Sequence, residues 1–173
     1  AHYLGIENER IKAAVKAFKG VKRRFEYIVK TDKLVFVDDY AHHPEELKAL
    51  INGAKTLFKG MRCTIVFQPH LFTRTRDFAE EFASILDTVD EVILLPIYPA
   101  RELPIEGVNS ELILHKITRA KASIKSKDEL LEYLKKERSI LNDEDFGSLF
   151  ITAGAGDIDT MIEPIKQIVN SNN

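Results

Sequence analysis

The stretch Cys63-Thr64-Ile65-Val66-Phe67-Gln68-Pro69-His70-Leu71-Phe72-Thr73-Arg74-Thr75-Arg76-Asp77 decides the fold, because its grammar changes halfway. Cys63 to Phe67 is a short unbroken β-prone run, the pattern of a strand buried on both faces of a sheet. Beyond the polar loop, Phe78, Phe82, Ile85 and Leu86 recur at helical spacing, and Glu91 to Leu95 is a second continuous apolar run. Strand, helix and strand in that order require a crossover, and the right-handed crossover makes the two strands parallel.

The pattern extends in both directions. Towards the start, Leu47, Leu50, Ile51, Ala54, Leu57 and Phe58 form another helix stripe, opened by Pro44 with Glu45 and Glu46 in its first turn and closed at Gly60. Before it, Phe25 to Lys30 and Leu34 to Asp38 flank the charged turn Thr31-Asp32-Lys33 and read as an antiparallel hairpin. Earlier still, Ile11, Ala14, Val15 and Phe18 mark an amphipathic helix that Gly20 stops. Towards the end come a short helix near Ser110 to His115 and a weak strand, Ala122 to Ile124. The capping box Ser126/Glu129 then opens a helix with Leu130, Leu131 and Leu134 inward. Leu149 to Thr152 is a strand, Ala153 to Asp157 a glycine loop, and Ile158, Met161, Ile162, Ile165 and Ile168 line a closing helix before a fraying polar tail, Asn170 to Asn173. The fold class is α/β: a Rossmann-like, mainly parallel sheet with helices on both faces and an N-terminal antiparallel hairpin.

Composition narrows the function. At 173 residues, 45% hydrophobic and 30% charged, the chain has the apolar content of one compact domain and excludes disorder. Lys plus Arg is 25 against 27 Asp plus Glu, so a net charge of -2 provides no global field for nucleic acid. Val92 to Ile97, the longest apolar run, is far too short to span a bilayer, so a soluble chain with no membrane partner is expected. Cys63 is the one cysteine and reads as a structural thiol in a buried strand. Opening on Ala and entering a helix almost at once, the sequence reads as a piece of a longer protein.

In a parallel sheet, ligands sit beyond the carboxyl ends of the strands. Four strand ends run into unusual loops: Asp38-Asp39-Tyr40-Ala41-His42-His43-Pro44, Gln68 to Arg76, Pro96-Ile97-Tyr98-Pro99-Ala100-Arg101-Glu102, and Ala153-Gly154-Ala155-Gly156-Asp157. The first offers carboxylates and imidazoles, but adjacent histidines make a poor metal pair, so no metal site is assigned. One of its acids could equally cap the helix at Pro44. In the second, Arg74 and Arg76 stand near a helix start that Thr73 or Thr75 could cap, suiting a carboxylate or phosphate; alternatively either arginine pairs with Asp77 or Glu80. The proline-rich third loop is stiff, and Tyr98 could wall a pocket. Gly154 and Gly156 lack the third glycine of a dinucleotide fingerprint and suit close packing. Lys22-Arg23-Arg24 is a solvated basic face or a phosphate contact. With no Gly-x-x-x-x-Gly-Lys-Ser/Thr loop anywhere, the chain is not a complete P-loop enzyme.

These motifs carry a resemblance. Gly20 to Glu26, Asp38 to Pro44, Phe67 to His70 with Thr73 to Asp77, Tyr98 to Ala100 and Gly154 to Asp157 resemble, in order and across essentially the whole chain, the C-terminal domain of the Mur ligase family, in its L-alanine-adding branch. The resemblance implies a three-domain, cytoplasmic bacterial enzyme of peptidoglycan synthesis. Residues 1–20 would then link to an absent central ATPase domain and 21–173 form the C-terminal domain, which closes over ATP, used with Mg2+, and receives L-alanine for UDP-N-acetylmuramate. The isolated domain is expected to be inactive and to hold no cofactor alone, since the P-loop and UDP-sugar domains are missing. By position, Arg24 and Asp39 resemble nucleotide contacts, and Tyr40, His42, His70 and Arg74 resemble the lining of the alanine site. Leu71 and Arg101 depart from the pattern, where relatives commonly carry arginine and glycine. A stand-alone nucleotide- or anion-binding module and a tripeptide-adding recycling ligase are the alternatives.

Overall fold

The computed structural model describes residues 2–18 and 20–170. Its hairpin joins β1 (Glu26–Lys30) to β2 (Leu34–Asp39), with the Thr31 hydroxyl accepting the Leu34 N–H at 2.9 Å to close the turn. Then follow α2 (Pro44–Leu57), β3 (Arg62–Phe67), α3 (Phe72–Asp77), α4 (Ala79–Leu86), β4 (Glu91–Leu94), α5 (Glu111–Leu114), β5 (Lys121–Ile124), α6 (Lys127–Lys136), β6 (Ser148–Ala153) and α7 (Ile162–Asn170), after a first helix, α1 (Asn8–Ala17). The strands form one six-stranded sheet in the order β1-β2-β6-β3-β4-β5, parallel except for β1.

The apolar runs alternate as a two-faced sheet must. Val35, Val37, Cys63, Ile65 and Phe67 face α2 and α4, packing on Leu47, Ile51, Phe82 and Leu86. Leu34, Phe36, Val66 and Phe150 face the other way, onto Leu130 and Leu134 of α6 and Ile165 and Ile168 of α7. Burial in this core pushes the Cys63 thiol up to about 12, so it stays protonated and unreactive.

β6 comes last in sequence but lies between β2 and β3, which makes its carboxyl end the switch point of the sheet. Register then aligns the exits: Asp39 of β2 pairs with Ala153 of β6, Ala153 with Phe67 of β3, and Phe67 with Leu94 of β4. All four unusual loops therefore leave from one edge.

Three expectations are adjusted. An additional short helix, α3, precedes α4, because Phe72 to Asp77 close a turn in which buried Thr75 donates to the Leu71 carbonyl at 2.8 Å. The closing helix opens as a 3-10 turn, Asp157–Met161, before α7 begins. α1 has the expected apolar stripe but buries none of its residues, and Val15 and Phe18 stay 70% and 66% exposed. Of the tail expected to fray, Asn170 ends α7 and residues 171–173 lie outside the described residues. Among the described residues, no helix is long and apolar enough to cross a membrane.

Candidate functional site

The loop after β2 is fixed by its own carboxylates. Asp39 accepts the backbone N–H of Phe25 on one oxygen and that of Ala41 on the other, each at 2.7 Å. Neither acid caps α2. Instead Glu46, inside the helix, reaches back to accept the N–H of His42 at 3.0 Å and of His43 at 3.2 Å. Burial raises the Glu46 carboxyl, but those N–H groups and the two imidazoles outweigh it and hold it below its ordinary range. His42 donates from Nδ1 to the Tyr40 carbonyl at 2.9 Å, which orients the ring. His43 turns away and packs its ring 5.0 Å from Phe78, so only one of the adjacent histidines joins the site.

The loop after β3 brings the partners. The His70 ring meets His42 edge-on at 5.7 Å and stacks on Tyr98 from the loop after β4, at 5.8 Å and 20°. Arg74 Nη1 lies 3.3 Å from His70 Nδ1. Tyr40 stands edge-on to His42 at 5.3 Å, and the Arg23 guanidinium lies over the Tyr40 ring at 5.0 Å. Arg23, Tyr40, His42, His70 and Arg74 thus form one continuous row. Burial, then the charges of Arg74 and His42, lower the pKa of His70, favouring its neutral form.

The expected threonine caps are absent: Thr73 gives its N–H and hydroxyl to Glu102, and Thr75 points into the core. Arg76 does not join the row, pairing with neighbouring Asp77 at 2.7 Å on the surface. Of the basic run, Arg24 is exposed beside a groove of about 390 Å³ lined also by Asp39, Tyr40, His42 and Glu46.

Arg23, in contrast, folds inward, and sequence reasoning missed it. Its guanidinium donates to the Gly154 carbonyl at 2.6 Å and pairs with fully buried Asp38 and with Asp159, both at 3.4 Å. Burial raises the Asp38 carboxyl, and a hydrogen bond from Thr152 with the Arg23 charge offsets part of that. The available signal was Asp38 itself, an acid inside an apolar strand that needs a cation. The glycine loop packs as expected: a Cβ on Gly156 would lie 2.5 Å from Gln68 Oε1 and 2.6 Å from Tyr98 Cβ.

The family model for the Mur ligase glutamate ligase domain matches residues 23–156, which contain every member of this row. The chain belongs to the Mur ligase family. It is 53% identical over 166 residues to a UDP-N-acetylmuramate–L-alanine ligase of Cytophaga hutchinsonii, covering 96% of this chain and 34% of that protein. A protein of the same name from Flavobacterium johnsoniae is 45% identical over 168 residues, covering 97% and 36%. The crystal structure of the UDP-N-acetylmuramate-alanine ligase MurC of Thermotoga maritima superposes with a TM-score of 0.76 at 26% identity, over 99% of this chain and 35% of that one. The chain therefore spans about a third of the length of the curated relatives it matches.

In this Mur ligase domain the rim sets the cations Arg74 and Arg24 beside imidazoles and a carboxylate. No serine or cysteine in the four rim loops stands beside a base, so the arrangement suits holding and orienting an anionic substrate, not attacking it. Among the described residues, no group of three or more His, Cys, Asp or Glu side chains could hold a metal ion.

Proposed function

We propose that this chain is the C-terminal domain of an ATP-dependent UDP-N-acetylmuramate–L-alanine ligase, with residues 1–20 leading in from a central ATPase domain. The observation that carries the reading is Arg74 against His70 and His42 at the switch point of a chain 53% identical to such a ligase. Arg74 holds the alanine carboxylate, with His70, His42 and Tyr40 walling its site. Arg24 and Asp39 fit a nucleotide: an exposed guanidinium suits a phosphate, and each Asp39 oxygen keeps a lone pair free for a ribose hydroxyl. On this reading Mg2+ would accompany ATP in the full-length enzyme, and no residue of this domain is assigned to it.

On this reading, the muramate carboxylate takes the γ-phosphoryl group of ATP, and the alanine amine attacks the acyl carbon. The tetrahedral adduct then expels phosphate as the amide forms. This domain contributes orientation, converting a bimolecular encounter into a local one. The test is ADP release by the full-length enzyme with UDP-N-acetylmuramate and L-alanine, glycine or the muramyl tripeptide. Turnover should be fastest with L-alanine; preference for the tripeptide would assign the domain to a recycling ligase. Tight ATP binding by the isolated chain, measured by calorimetry, would favour a stand-alone nucleotide module.

A further inference from the structure

The loop after β4 is sewn onto the segment that carries His70 and Arg74. Tyr98 donates its N–H to the Pro69 carbonyl at 2.8 Å and accepts the Leu71 N–H at 3.0 Å, forming an isolated parallel bridge opposite His70. The two rings of that bridge stack. Four residues later, the Glu102 carboxylate accepts the Thr73 N–H at 3.0 Å on one oxygen and the Thr73 hydroxyl on the other. Those two donors hold the Glu102 carboxyl below its ordinary pKa.

Two residues in left-handed backbone geometry stand at this seam, Leu71 at φ 72° and Ala100 at φ 51°. Each costs on the order of 1 kcal/mol for a residue with a side chain, so each persists only where its surroundings enforce it. α3 is six residues long, and its N-cap, Leu71, has no side-chain acceptor to give. A helix this short does not hold itself together, and its first-turn N–H groups need a partner from elsewhere. Glu102 is that partner, and Arg74 stands one residue beyond the Thr73 it grips.

We propose that Glu102 is a positioning residue for the amino-acid site: by latching the loop after β4 onto the start of α3, it sets where Arg74 and His70 stand. The proposal rests on the reading of Arg74 as the carboxylate anchor. Without the latch the first turn of α3 opens, and the Arg74 guanidinium loses its fixed place beside His70. Alanine capture weakens, while the nucleotide contacts of Arg24, just before β1, and Asp39, at the end of β2, are untouched.

The experiment measures kcat and KM for L-alanine and for ATP in the full-length ligase carrying Glu102→Ala, Thr73→Val, Thr73→Ser or Arg74→Ala. Glu102→Ala and Thr73→Val are expected to raise the alanine KM by about fivefold or more with the ATP KM within about twofold, and Thr73→Ser to restore wild-type values. A merely structural role lowers the active fraction and leaves the alanine KM alone; that result, with Arg74→Ala raising it, overturns the latch and spares the carboxylate anchor. Unchanged alanine KM in Arg74→Ala as well removes the anchor and the latch together. Should Glu102→Ala not fold, the contrast between Thr73→Val and Thr73→Ser decides the matter on the same criterion.

Discussion

Arg74 Nη1 stands 3.3 Å from Nδ1 of His70, a permanent cation donating towards an imidazole nitrogen. That contact requires Nδ1 to be unprotonated, so a neutral His70 carries its proton on Nε2. Burial and the charges of Arg74 and His42 lower its pKa from 6.5. The folded state therefore binds this proton less readily than the unfolded chain, and stability is full above pH 6.5 and declines as the pH falls through that value towards the folded pKa. Thermal melts of wild type and His70→Gln across this range should show a shallower pH dependence in the variant. Parallel curves would mean His70 does not carry the effect.

Arg23 answers a fully buried carboxylate. Replacing it with alanine leaves Asp38 inside the sheet with only the Thr152 hydroxyl, and also frees the Gly154 carbonyl and Asp159. Losing one partner of a buried pair costs about 3 kcal/mol. Urea unfolding of Arg23→Ala should show a loss of that size, and a change below about 1 kcal/mol would show the pair to be incidental.

Gly156 is required by space. Its φ is an ordinary -85°, but a Cβ there would press on Gln68 Oε1 and on the Tyr98 Cβ and ring. Overpacking of this kind costs about 1 to 3 kcal/mol. Gly156→Ala should lower the melting temperature, and because Tyr98 stacks on His70 it should also disturb the row. An unchanged melt would mean that the loop yields freely.

α1 contributes no buried residue, so the domain should not depend on its apolar stripe. Val15→Ser with Phe18→Ser is expected to change the unfolding free energy of this chain by no more than about 0.5 kcal/mol. A larger loss would show that the helix packs on the domain in solution.

The sheet was readable because its strands are continuous apolar runs separated by helix stripes, and both patterns follow directly from burial on two faces. The rim was readable for a related reason: Asp39, His42, His70 and Arg74 follow strands whose ends the parallel topology must align. What sequence could not supply was partnership across the chain. Arg23 and Arg24 are chemically identical neighbours, and only the left-handed turn at Arg23, φ 58°, sends one inward to Asp38 and the other out to the groove. Thr73 looked like a cap because threonine usually is one, whereas here a glutamate 29 residues away provides the acceptor. Adjacent His42 and His43 likewise separate only once Glu46 grips both N–H groups and Phe78 takes the second ring.

The central claim is that Arg74 anchors the amino-acid carboxylate, and steady-state kinetics of Arg74→Ala in the full-length ligase test it most directly. The expected result is a fall of about tenfold or more in kcat/KM for L-alanine, a loss of about 1.4 kcal/mol of transition-state stabilisation. Wild-type alanine kinetics in that variant would contradict the account.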